Sequence, residues 1–144
     1  MSRFTSLYSK LSRQGIHFYT WDMGDLCAAT LEVGGHFGIF VDPDNIHTEA
    51  EALVILAHEG GHASTGATHK VCSPYDLVEK HENKADKWAI TQLISAEDLD
   101  EAVAEGHTEL WDLADHFGVT EDFMCKAVCW YVHGNLAVDE YMNY

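Results

Sequence analysis

Apolar positions recur at helical spacing near the start of the chain and again in its last third. Residues 5–14 form the first such pattern, and Gly15 ends the helix that it predicts. Three further helices are predicted later, at 96–105, 108–117 and 120–135. Gly106 and Gly118 interrupt them, so the last third of the chain is expected to be a helical bundle with short turns.

The region between these helical patterns is typical of β-strands. Three runs rich in β-branched and aromatic residues are bounded by turn residues, at 16–21, 27–33 and 36–41. Only Gly34 and Gly35 separate the second run from the third, which is a hairpin signal. The patterns predict a three-stranded antiparallel sheet after the first helix, and therefore an α+β fold.

A further helix is expected to begin just after this sheet. Thr48 and Glu51 have the spacing of a capping box, which satisfies backbone N–H groups at a helix start. Residues 52–57 are all apolar and lead directly into His58. His58 is therefore expected to follow a buried helical face.

Five residues of this helix, His58-Glu59-Gly60-Gly61-His62, have the H-E-x-x-H arrangement of zinc peptidases. Residues four apart on a helix differ by about 40° around the axis, so both histidines can reach one ion. Glu59 is turned by roughly 100° from His58, which suits a base acting on water rather than a ligand. Each glycine costs up to about 1 kcal/mol relative to Ala, so we expect a close approach of some other group to this backbone.

A catalytic zinc site of this type needs a third protein ligand and an open position for water. Thr65 and Thr68 stand where the extended metzincin pattern requires Gly and His, so that class is excluded. Glu82 is the preferred third ligand, and Asp86 could accept a hydrogen bond from a ligand histidine and fix its tautomer. Spacing alone leaves four other candidates for the third ligand, which are His69, Cys72, Asp76 and His81.

Three segments together carry a family resemblance. They are His58-Glu59-x-x-His62, then Glu82-x-x-Ala85-Asp86-x-Trp88-Ala89, then Leu113-Ala114-x-x-Phe117-x-Val119-Thr120. In this combination the chain resembles the ImmA/IrrE family of metallopeptidases over residues 45–133, and many members of that family are encoded beside a repressor in prophages and mobile elements. A larger apolar residue is more usual in that family at the position of Gly60, so the glycine pair is a departure.

The resemblance implies that His58, His62 and Glu82 bind Zn²⁺ and that Glu59 is the catalytic base. The predicted fold is a small zincin-like domain with an N-terminal helix, the three-stranded sheet, the H-E-x-x-H helix and a second ligand helix over residues 1–95. Residues 96–144 are predicted to form a helical subdomain packed on the same unit. The predicted function is a cytoplasmic, gluzincin-like zinc endopeptidase that cleaves a phage or mobile-element transcriptional repressor.

The segment between the two ligand helices, residues 66–76, is bounded by Gly and Pro and is expected to lie near the cleft. Either His69 or Tyr75 is a candidate to stabilise the oxyanion that forms on water attack. The remaining histidines outside the motif are predicted to be surface or structural residues, namely His17, His36, His47, His107, His116 and His133.

Composition changes this picture mainly through charge. The 144 residues are 47% apolar, which suits one soluble cytosolic domain, and no apolar run approaches the roughly 20 residues that span a bilayer. The formal net charge is −16, and from Ala89 onward one basic residue, Lys126, stands against twelve Asp and Glu. Such a surface repels nucleic acid and suits a basic protein partner.

The four cysteines form no C-x-x-C pair and are expected to be reduced, buried thiols.

Two other functions fit parts of the sequence. A non-catalytic antirepressor could keep the fold and the metal and act by sequestering a repressor, but the intact Glu59 argues against it. Residues 110–130 have the spacing of a helix-turn-helix, which would suit a DNA-binding regulator. Its second helix offers only Lys126 for reading DNA, so packing or partner recognition is favoured there.

Overall fold

The computed structural model describes residues 2–66 and 75–138, apart from the side chains of residues 33 and 75–77. Within these ranges the elements are α1 (Arg3–Arg13), β1 (His17–Thr20), β2 (Ala28–Val33), β3 (His36–Val41), a 3-10 turn (Pro43–Asn45), α2 (Glu49–Thr65), α3 (Tyr75–Leu93), α4 (Ala96–Ala104), α5 (Leu110–Phe117) and α6 (Glu121–His133). The predicted α+β class is confirmed for this part of the chain. No helix in the described ranges is long and apolar enough to cross a bilayer.

The sheet is mixed, with the strand order β1-β3-β2. β2 and β3 form the predicted antiparallel hairpin, and the positive φ angles of Gly34 (58°) and Gly35 (85°) make its turn. β1 instead pairs in parallel with β3, from His17 opposite Gly38 to Thr20 opposite Val41. The prediction of a wholly antiparallel sheet was therefore wrong. A strand's apolar pattern indicates which face is buried, but it does not indicate the direction of its neighbour.

The crossover between β1 and β2 explains the mixed sheet. Residues 21–27 carry the chain past the position of β3 to the far edge of the sheet, so that β3 later returns between the two earlier strands. Asp42, which is buried, accepts a hydrogen bond from the Met23 N–H at 3.0 Å. The Asn45 side chain donates to the carbonyls of Gly24 and Leu26, each at 2.8 Å. These bonds hold the crossover in place.

α2 is the central helix of the first part of the chain, because α1, β2 and β3 all pack on it. Thr48 caps it by accepting a hydrogen bond from the Glu51 N–H at 3.0 Å, as the sequence predicts. The Glu51 carboxylate accepts from the His47 N–H at 2.8 Å, one residue before the donor of an ideal capping box. The buried apolar side chains of this region include Leu7, Leu11, Ile16, Ile39, Leu53 and Leu56.

Residues of two other helices approach the α2 backbone closely at Gly60 and Gly61. A Cβ atom at Gly61 would lie 2.5 Å from the carbonyl oxygen of Ala85 and 2.9 Å from its Cα atom, both on α3. A Cβ atom at Gly60 would lie 2.8 Å from Cδ1 of Leu11 on α1. The expected close approach is confirmed, and it allows α3 to pack against the C-terminal half of α2.

The chain divides into two compact units, Met1–Ala89 and Ile90–Tyr144. In the second unit, Ser95 and Thr120 cap α4 and α6 with their side chains, and Gly118 (φ 69°) ends α5. The Tyr131 hydroxyl on α6 donates a hydrogen bond to the carbonyl of Ile94 at 2.5 Å. The unit's buried apolar residues include Leu99, Leu113, Phe117, Val119, Phe123 and Met124.

Candidate metal centre

α2 presents His58 and His62 on one face, and α3 brings Glu82 opposite them. The Nε2 atom of His58 lies 2.8 Å from Oε2 of Glu82, and the Nε2 atom of His62 lies 2.9 Å from Oε1. The two imidazole rings are nearly perpendicular, with centroids 4.8 Å apart. The structure thus brings the three predicted ligands together in a group that could hold a metal ion.

Asp86 fixes the orientation of His58. Its Oδ1 atom lies 2.7 Å from Nδ1 of the ring, and its side chain is buried. A carboxylate oxygen can only accept a hydrogen bond, so the Nδ1–H donates and the Nε2 atom points to Glu82. This carboxylate–histidine pair is the arrangement that usually supports a metal ligand.

The carboxylates make the centre favourable for positive charge. Burial alone lowers the pKa of His58, but the hydrogen bonds to Asp86 and Glu82 outweigh it and raise that pKa to about 10. Hydrogen bonds from His58 and His62 hold the pKa of Glu82 well below its usual range. A divalent cation can supply the positive charge that this arrangement stabilises.

The donor set fits zinc. Two imidazole nitrogens and one carboxylate are the ligands of many catalytic zinc sites, which keep a fourth position for water. His62 is 5% exposed, so the group is protected from solvent on the helix side, while the Glu82 side chain is 42% exposed. The partly open side leaves the group accessible from solvent.

Glu59 is held by a residue that the sequence did not single out. The Thr30 hydroxyl on β2 lies 2.8 Å from Oε1 of Glu59 and 3.0 Å from its backbone carbonyl oxygen, so its single proton is shared between these two acceptors. Thr30 is 29 residues away in sequence and belongs to no motif. Only the packing of β2 against α2 reveals this contact.

The structure describes only some of the other residues that the sequence proposed for this centre. His69 and Cys72 lie outside the described residues, and the side chains of Tyr75 and Asp76 are not described either. The oxyanion role proposed for His69 or Tyr75 therefore stays a prediction. Among the described side chains, His81 does not join the group around Glu82.

A second group of possible ligands lies in the second unit. Glu105, His107 and His116 place their ligand atoms within 4.8 Å of one another. The sequence predicted these histidines to be surface residues, and His116 is exposed while His107 is half-buried. Their spacing matches no familiar metal motif, so the sequence offered no signal for the cluster.

Comparison with models of known protein families and with curated proteins finds no match for this chain. The resemblance to the ImmA/IrrE metallopeptidases therefore rests on the three sequence segments named above. The geometry of the candidate centre supports a possible metal site independently of this resemblance, since it follows from the positions of the side chains.

Proposed function

We propose that this chain is a zinc-dependent endopeptidase with a zincin-like arrangement of its first unit. The observation that carries the proposal is the convergence of His58, His62 and Glu82 beside a fourth residue, Glu59, that is held by Thr30 and is not part of the group. A structural metal site has no need for a positioned carboxylate next to its ligands. A hydrolytic site needs one as a base.

The side chains have separate roles in this mechanism. His58, His62 and Glu82 would hold the ion, and a bound zinc ion supplies Lewis acidity for the attacking water and the scissile carbonyl. Thr30 donates to Oε1 of Glu59, so Oε2 is the oxygen that takes a proton from water. Glu59 then returns the proton to the leaving amine as the peptide bond breaks.

The edge of β2 is the proposed site for the substrate backbone. β2 is an edge strand, and it carries the threonine that contacts Glu59. An extended peptide can add to such an edge through main-chain hydrogen bonds. A peptide bound in this way would pass close to Glu59, which agrees with the use of a sheet edge in other zincins.

The proposed substrate is a DNA-binding repressor. The resemblance supports this choice, since family members are often encoded beside a repressor. The net charge of −16 also favours a basic partner, and DNA-binding proteins carry basic surfaces. A direct role in reading DNA is disfavoured because α6 has one Lys and no Arg.

Cleavage of a candidate repressor tests this function directly. The purified, zinc-loaded chain is incubated with the purified repressor encoded nearest to its gene, and the fragments are mapped by mass spectrometry. We expect one or a few defined cuts, loss of cutting with a zinc chelator, and recovery when zinc is restored. An uncut repressor that nevertheless binds the zinc-loaded chain would favour sequestration.

Thr30 offers a test of how the base is positioned. Thr30→Val keeps the shape of the side chain but removes the hydroxyl, so we expect kcat to fall on the order of 10-fold to 10²-fold. Thr30→Ser restores the donor and should recover most of the rate, whereas a packing role alone would not be rescued by the smaller residue. Unchanged kcat in the zinc-loaded Thr30→Val protein would show that Glu59 does not depend on this hydrogen bond.

A further inference from the structure

The turn between α4 and α5, together with α5 itself, brings two histidines and two carboxylates close to one another. Glu105, His107 and His116 have ligand atoms within 4.8 Å of one another. The two imidazole rings face each other, with centroids 4.4 Å apart and planes tilted by 31°. Glu105 and His116 are exposed, so an ion could reach this group from solvent.

The backbone at this turn is fixed by the way α4 ends. The His107 N–H donates to the carbonyl of Ala102, and the Gly106 N–H donates to that of Val103, each at 3.0 Å. These are the two hydrogen bonds of a Schellman motif, and Gly106 has the positive φ (102°) that the motif requires. The motif therefore sets Glu105 and His107 at defined positions.

Asp112 orients the His107 ring. Its Oδ2 atom lies 2.9 Å from Nδ1 of His107. Because the carboxylate can only accept, Nδ1 carries the proton, and in the neutral ring Nε2 keeps its lone pair for another partner. Asp112 and His116 are four residues apart on α5, so one helix face supplies both the orienting carboxylate and the second imidazole.

The surroundings favour a cation. Glu105 is the C-cap of α4 and His116 lies in the last turn of α5, so the negative ends of two helix dipoles meet this group. The chain from Ala89 onward carries twelve acidic residues against Lys126. A divalent ion bound here would be stabilised by both effects.

We propose that Glu105, His107 and His116 form a second zinc site. Two imidazole nitrogens and a carboxylate oxygen match the ligand types of Zn²⁺, and Asp112 gives His107 the carboxylate partner that ligand histidines usually have. The ion joins the end of α4 to the last turn of α5 and stabilises the turn between them. This site does not depend on the proposed peptidase activity.

Zinc stoichiometry tests the proposal. The parent protein, His107→Ala/His116→Ala and the control His17→Ala/His36→Ala are loaded with Zn²⁺, desalted and measured by elemental analysis. His17 and His36 are also exposed and adjacent, with ring centroids 5.6 Å apart, but they belong to neither ligand group. We expect the test variant to hold one zinc fewer than the parent, and the control to match the parent.

The number of zinc ions lost by each variant distinguishes this site from the candidate centre on α2 and α3. If that centre binds no zinc, the parent still holds one zinc and the test variant none. Equal zinc in the parent and the test variant overturns the second site, whatever the total. A calorimetric titration with Zn²⁺ tests a further variant, Asp112→Asn, which keeps all three ligands. This substitution changes the hydrogen-bonding partner of His107, so we expect it to weaken zinc binding at this site about 10–100-fold. Unchanged affinity in Asp112→Asn would also contradict the proposal.

Discussion

Replacing Glu59 with Gln is expected to lower the rate of peptide hydrolysis about 10²-fold to 10⁴-fold, which is the usual worth of a positioned general base. Glutamine has nearly the same size and can still contact Thr30, but it cannot take a proton from water. Glu59 is not in the group of possible ligands, so the variant should keep its zinc and its affinity for the substrate. The Glu59→Gln variant should therefore bind the substrate without cleaving it.

The measurement combines single-turnover cleavage of the repressor in vitro with a reporter from its target promoter during co-expression. Glu49→Gln is the matched control, because it makes the same change on an exposed residue of α2 outside the ligand group. The control should cut like the parent. If Glu59→Gln relieved repression as well as the parent while the repressor stayed intact, the chain would act by sequestration and not by hydrolysis.

The second large effect is expected at the ligands themselves. His58→Ala, His62→Ala and Glu82→Gln should each lose the zinc of this centre, since two protein ligands hold the ion poorly. The loss of affinity should exceed the roughly 10–100-fold that removal of a ligand's hydrogen-bonding partner costs. Activity should be lost with the ion.

Elemental analysis in a His107→Ala/His116→Ala background measures this centre alone. Glu79→Gln serves as the control on α3, because Glu79 is exposed and lies one turn before Glu82. Folding of each variant is checked by circular dichroism, so that loss of zinc is not confused with loss of structure. Stoichiometric zinc in the Glu82→Gln variant would transfer the third-ligand role to another candidate, namely His69, Cys72 or Asp76.

Local sequence patterns predicted the elements of this chain well. The helices and strands lie close to their expected positions, and α1 begins earlier because Ser2 caps it by accepting from the Thr5 N–H at 3.1 Å. The pairing of His58 with His62 follows from helix geometry alone. Sequence spacing alone could not settle Glu82 as the third ligand, because the distance between side chains on separate helices depends on how those helices pack.

Local sequence patterns could not predict the contacts between segments that are distant in sequence. The parallel pairing of β1 with β3 depends on the route of the crossover, which hydrogen bonds of Asp42 and Asn45 with residues 23 and 24 hold in place. The contact of Thr30 with Glu59 joins a strand to a helix 29 residues later. No periodicity in a single segment reports such contacts, since they arise only when the segments pack together.

The glycine at position 60 also has an evolutionary consequence. A Cβ atom there would lie 2.8 Å from Leu11 Cδ1 and 3.3 Å from Trp88 Cζ3, so neighbouring side chains already fill the space of the missing one. Because buried volume tends to be conserved, positions 11 and 60 are expected to co-vary among related chains, with a larger residue at one accompanying a smaller residue at the other. A sequence pattern that requires a bulky residue directly after His-Glu would therefore miss related chains with a small residue at position 60 and a large one at position 11.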